Sequence, residues 1–95
     1  MNHERFEWDE AKALSNFTKH GITFHEATSA FDDPDGFEVF DDRRDYGEDR
    51  WVRFGRINKR LIIVAVAFGE RNERIRIISA RSAESDEEAA YFDQF

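Results

Sequence analysis

Apolar positions along this chain change period more than once, and each change marks a different kind of element. Arg5-Phe6-Glu7-Trp8 alternates polar and apolar residues, the spacing of a short strand. From Glu10 the period becomes helical. Ala13, Leu14 and Phe17 share one face, while Lys12, Asn16 and Lys19 stack at i, i+4 and i+7 on another. Asp9 is a good N-cap and Gly21 suits the left-handed position after a helix, so the spacing predicts a helix over Glu10 to His20. A second helix is predicted from about Phe24 to Phe31, with Thr23 as its cap. Asp32-Asp33-Pro34-Asp35-Gly36 then stops it, since Pro and Gly break regular structure and Asp favours turns.

Downstream the pattern reads as a sheet. Phe37 to Phe40 is a brief strand, and Asp41 to Asp49 is a polar loop containing Gly47. Arg50 to Ile57 alternates in part, and Asn58-Lys59 sits where a tight hairpin would. Leu61 to Phe68 is apolar on both faces, as a central strand requires. Gly69 to Asn72 is the expected next turn, and Arg74 to Ala80 the last strand. Ser85 and Glu88 have capping-box spacing for a closing helix that carries Tyr91. The predicted class is α+β: two N-terminal helices, an antiparallel β meander with one face covered, and a C-terminal helix. At 95 residues the chain has room for one core, so residues 1–95 are read as a single domain.

Composition supports a folded interior, with 40% apolar residues and ten Phe. No apolar run approaches the roughly 18 residues that cross a bilayer. Met1 to Arg5 lacks the apolar core of a signal peptide, which points to a cytoplasmic protein with no membrane partner. The absence of cysteine removes disulfides, thiolate catalysis and thiolate metal sites. Charge adds more. The net value of −7 argues against a nucleic-acid partner until its distribution is read. Asp32 to Asp49 carries nine acids against Arg43 and Arg44, a balance of −7. Arg50 to Arg81 carries nine bases against Glu70 and Glu73, a balance of +7, and eight of those bases are arginine. The arginine fork suits bidentate phosphate contacts, although pairing with the acidic segments would explain the same residues.

Candidate chemistry narrows by type. His3, His20 and His25 form no His-x-x-x-His pair and the acidic loop lacks the calcium pattern, so no metal site is expected. There is no Gly-x-Ser-x-Gly and no Gly-rich phosphate loop, so no cofactor is expected either. What remains suits charge stabilisation and proton transfer: the Lys12, Asn16, Lys19 stripe ending at His20, with Arg50, Arg74, Arg76 and Arg81. Several arginines and a histidine lining a cleft could hold an RNA backbone, stabilise a pentacoordinate phosphate and protonate a leaving oxygen. RNA brings its own nucleophile in the 2′-hydroxyl, so such chemistry needs no metal. For Lys19-His20, compensation of the helix dipole is the simple structural alternative.

The order of motifs is more specific. Phe6-Glu7-Trp8-Asp9-Glu10-Ala11-Lys12, Asn16, Lys19-His20-Gly21-Ile22-Thr23-Phe24, Glu26-Ala27 and Phe31-Asp32-Asp33-Pro34 come in sequence. Glu48-Asp49-Arg50, the strand around Gly55 and Arg76-Ile77-Ile78-Ser79-Ala80-Arg81 follow. Together, over about residues 6 to 92, they resemble the BrnT toxin family. The resemblance implies a RelE-like fold and a metal-independent ribonuclease that arrests growth. It also implies neutralisation by a BrnA-like ribbon-helix-helix antitoxin, through which alone the complex meets operator DNA. It places functional residues at Lys19, His20, Glu48, Arg50, Arg76, Arg81 and Tyr91, with the general base open among Lys19, His20 and Glu48. Of those three residue types only histidine ordinarily titrates near neutrality. Trp8, Phe24 and Phe31 read as core. A pI near 4.9 is unusual for an RNA-binding protein. The competing expectation is therefore an inactive partner-binding module that serves as co-repressor with the antitoxin.

Overall fold

Local chemistry sets the helix ends. The computed structural model describes residues 5–42, 47–57 and 60–95. Helix α1 (Glu10–His20) begins where the Asp9 carboxylate accepts from the amides of Ala11 and Lys12, at 2.8 and 3.2 Å. It ends at Gly21, whose φ of +69° lets its amide return to the Phe17 carbonyl at 2.8 Å. Helix α2 (Phe24–Ala27) starts in a reciprocal box between Thr23 and Glu26, both bonds 2.9 Å. The expected continuation to Phe31 is a tighter 3-10 turn, Thr28–Phe31. The Thr28 and Ser29 hydroxyls donate to the His25 and Glu26 carbonyls, at 2.7 and 2.8 Å, where these side chains compete with the helical ladder.

Five strands form one sheet in the order β1-β5-β4-β3-β2: β1 (Phe6–Glu7), β2 (Phe37–Phe40), β3 (Trp51–Ile57), β4 (Ile62–Arg71) and β5 (Arg74–Ser82). β2 to β5 are the expected antiparallel meander. β1 departs from it by pairing parallel with β5, Phe6 opposite Ile75, so the sheet is mixed. The expected hairpin at Asn58-Lys59 lies outside the described residues. The turn expected at Gly69 to Asn72 is shorter and later: β4 runs on to Arg71, and Asn72 and Glu73 turn with φ of +54° and +65°. Gly69 serves close approach instead. A Cβ there would stand 3.3 Å from the Asp49 carbonyl and 3.9 Å from the Glu48 carboxylate.

Helix α3 (Ser85–Phe92) is also one residue out of the expected register, with Glu84 and Glu87 rather than Ser85 and Glu88 forming its capping box. The cause is non-local: Arg81 on β5 grips Glu87 through both guanidinium nitrogens, at 2.7 and 3.0 Å.

One sheet face is covered by α1, α2 and the 3-10 turn over Phe6, Trp8, Phe24, Val64, Val66, Ile77 and Ala80. Trp8 and Phe24 are buried as expected, and Phe31 lies edge-on between Phe6 and Phe68, at 5.3 and 5.0 Å. The orientation of α1 was not foreseen. Leu14 and Phe17 are 70% and 47% exposed, whereas Asn16 is buried at 6%. The Asn16 amide nitrogen donates to the Ile22 and Ala80 carbonyls, at 3.1 and 2.9 Å. Its oxygen accepts from the Ala80 amide at 3.0 Å.

Asn16→Ala would strip buried partners from two carbonyls and one amide, each worth about 1–3 kcal/mol when orphaned. After partial rehydration at the sheet edge we expect a loss of about 3 kcal/mol and a Tm lower by roughly 10–20 °C, read by thermal unfolding. A loss below about 0.5 kcal/mol, the range of an ordinary surface substitution, would show that the amide is not a structural tie.

Candidate functional site at the edge of β5

Asn16 dictates what lies beside it. With its amide locked on Ala80, the residues three and four positions away on α1 must flank the same strand edge. Of these, Ala13 turns to the core, while Lys12, Lys19 and His20 stay at the edge. With Ser15, Asn16, Ile78 and Ser79 they line a cleft of about 210 Å³. The strand is irregular at this point: between β4 and β5 the register shifts so that Phe68 faces Ile77 while Ala67 faces Ser79. Ile77 and Ala80 both point into the core, which leaves Ile78 and Ser79 half-exposed on the other side, at the cleft. Among the described residues no carboxylate pairs with Lys12, Lys19 or His20, in a chain with 21 acidic residues.

The arginines behave differently. Arg76 reaches Glu7 across the β1–β5 pair at 3.2 Å, both side chains largely buried. Its cross-strand partner is Gly69, over which the Glu48 carboxylate passes. Arg50 precedes Trp51, which pairs with Phe68, so its backbone lies level with the same glycine. Glu48, Arg50 and Arg76 thus gather around Gly69. Arg81 lies five residues further along β5, about 16 Å away at strand spacing. It borders a separate depression of about 340 Å³ shared with Val39, Phe40, Asp41, Asp42, Val52, Phe54 and Glu87. Arg53 and Arg60 are structural. Arg53 holds the Ala30 and Asp33 carbonyls at 3.0 and 2.9 Å and pairs with Glu38. Arg60 holds the Gly21 carbonyl at 2.8 Å and pairs with Glu26.

Tyr91 is fully buried. Its hydroxyl donates to Asp33 at 2.6 Å, and the same carboxylate accepts from the amides of Arg56 and Asp35, at 2.8 and 2.9 Å. Burial and the Asp33 charge push the phenol up to about 12. Burial also pushes the Asp33 carboxyl up. The three hydrogen bonds and the charge of Arg56 outweigh that effect and hold it below the usual aspartate value. This pair joins α3 to the sheet, a strut rather than a place for substrate.

Of the residues expected from sequence, the structure unites Lys19 with His20 and Glu48 with Arg50 and Arg76. It sets Arg81 apart with Glu87 and places Tyr91 in the interior. Lys12 is the addition: the i, i+4, i+7 stripe contained it, but its relation to β5 depends on a contact 64 residues away in sequence. Among the described residues no three His, Asp or Glu side chains converge as a metal site. None of the described helices is long and apolar enough to cross a membrane.

Comparison with known families bears on this arrangement. Residues 8–87 match the family described as ribonuclease toxin, BrnT, of type II toxin–antitoxin systems, and the chain belongs to that family. Membership makes it the toxin half of a two-protein system. No curated protein matches the chain.

Because the folded Asp33 carboxyl sits below its unfolded value near 3.9, its stabilisation is present above that pH and is lost as pH falls through the folded value. Tyr91→Phe removes one donor to the carboxylate, a bond worth about 1.5–3 kcal/mol. We expect the variant to be less stable at neutral pH and to unfold at a higher pH than the parent on acid titration followed by circular dichroism. Coincident acid transitions would refute the coupling.

Proposed function

We propose that the chain is a metal-independent endoribonuclease whose reaction centre is the cleft at the β5 edge, with Lys19 and His20 as its principal groups. The carrying observation is that Lys19 and His20 have no carboxylate partner among the described residues, beside a half-exposed bulge two residues from Arg76. In this reading the RNA 2′-hydroxyl attacks the adjacent phosphorus and loses its proton to a base. The P–O5′ bond breaks, and the departing oxygen takes a proton, leaving a 2′,3′-cyclic phosphate and a 5′-hydroxyl. His20 carries the proton exchange, as imidazoles readily do near neutrality. Lys19 stabilises the charge that grows on the phosphorane oxygens, with Arg76 further along β5 as a second source of positive charge. Glu48 and Arg50, over Gly69, extend the surface on the far side of Arg76.

The fold is then of the RelE-like kind, and the protein acts in the cytoplasm to arrest growth. Its neutralising partner is a BrnA-like ribbon-helix-helix antitoxin, and the complex meets operator DNA through that partner. A second reading, a catalytically silent partner module that supports repression, draws on a specific observation. Arg76 and Arg81, two of the cations expected at phosphate, are already held by Glu7 and Glu87.

The test is the partner-free protein incubated with RNA in EDTA. Cleavage yielding cyclic phosphate ends is expected, with activity reduced about 10²–10⁴-fold in His20→Ala, the usual worth of a proton-transfer group. Intact RNA with a folded protein that still binds its antitoxin would establish the silent module instead.

A further inference from the structure

Lys12 is the one cleft cation that the electrostatics of the helix do not explain. Lys19 and His20 lie in the last turn of α1, where the negative end of the helix dipole favours cations. Lys12 lies in the first turn, where the dipole disfavours them, and has no carboxylate partner among the described residues. Nor does it screen the exposed Leu14 and Phe17, which belong to another face of the helix. Its placement is nonetheless fixed. Asn16, immobilised by three hydrogen bonds, sits four residues after it, so Lys12 shares the β5 side of the helix with Lys19 and opens onto the same cleft.

Spacing determines what the two lysines could hold together. Seven residues at 1.5 Å rise place them about 10 Å apart along the axis, close to two full turns. At that spacing, side chains extended straight out from the helix suit two phosphates better than one. Two different phosphates of one strand, on either side of Ser15 and the Ile78–Ser79 bulge, match the separation. We infer that Lys12 is a second phosphate anchor, which binds a nucleotide away from the cleaved bond and lays a single RNA strand along α1 across the β5 bulge. The inference rests on the ribonuclease reading and extends it: the substrate is an oligonucleotide engaged at more than one phosphate, and Lys12 positions it without touching the reacting atoms.

The experiment measures binding of a short oligonucleotide without 2′-hydroxyls, so that nothing is cleaved, to the full chain over a range of salt. Lys12→Ala should weaken binding about three- to tenfold. The slope of log K against log salt should fall by about 0.7, one single-strand phosphate contact. Lys12→Arg should restore both, and the Tm should stay at the parent value because the side chain is exposed. With cleavable RNA, Lys12→Ala should raise KM by a similar factor and leave kcat within twofold, whereas Lys19→Ala lowers kcat. If the parent cleaves RNA and Lys12→Ala matches it in affinity, salt slope and KM, the anchor is refuted and the ribonuclease reading stands. If Lys12→Ala lowers kcat with KM unchanged, the positioning role is likewise refuted. A parent that neither binds the oligonucleotide nor cuts RNA overturns both readings.

Discussion

The Asn16 side chain closes an edge that the rest of the sheet leaves open. β1 covers β5 only along Phe6 and Glu7, opposite Ile75 and Arg76, so the following part of β5 has unpaired peptide groups on that side. An open strand edge must be paired, covered or made repellent. A primary amide carries the same donor and acceptor as a peptide. Asn16 uses both on Ala80, as the next residue of a longer β1 would, and its second amide hydrogen reaches Ile22 after the helix. One polar side chain thus continues the sheet and fixes the roll of α1. It also ties down the chain that leads from α1 into α2. The orientation that exposes Leu14 and Phe17 follows from it, because a helix cannot present Asn16 and its apolar stripe to the same strand edge.

Local signals made the helix ends legible. Asp9, Thr23 and Gly21 act within four residues of their partners, and each does what its chemistry suggests. Errors arose where a distant residue decides. Gly69 looks like a turn in a one-dimensional pattern, yet its missing Cβ admits the Asp49 carbonyl and the Glu48 carboxylate beside β4. The start of α3 depends on which glutamate Arg81 reaches from β5. Likewise, the helical period separates the two faces of α1 but does not say which one packs. The site follows the same division. Lys19 and His20 were legible because they lie in one motif. The burial of Tyr91 and the placement of Lys12 against β5 were not, because they depend on the Tyr91–Asp33 and Asn16–Ala80 contacts, which span 58 and 64 residues.

Charge in this protein has to be read by occupancy rather than by sum. The arginine-rich segment from Arg50 to Arg81 carries a large positive balance, but four of its guanidinium groups are already committed. Arg53 and Arg60 hold backbone carbonyls and glutamates, Arg76 is held by Glu7 and Arg81 by Glu87. A phosphate approaching such an arginine must displace or share with a carboxylate, and the bidentate Arg81–Glu87 pair is the hardest to open. Lys12 and Lys19 on α1, outside the basic segment, have no such competition among the described residues. Acidic surroundings then have a consequence of their own: excess negative charge discourages loose association of RNA over the whole surface. In the proposed reading, productive contact is confined to the cleft that Lys12 and Lys19 line. An acidic protein can act on RNA on these terms, through few contacts placed by a helix whose rotation is fixed by Asn16.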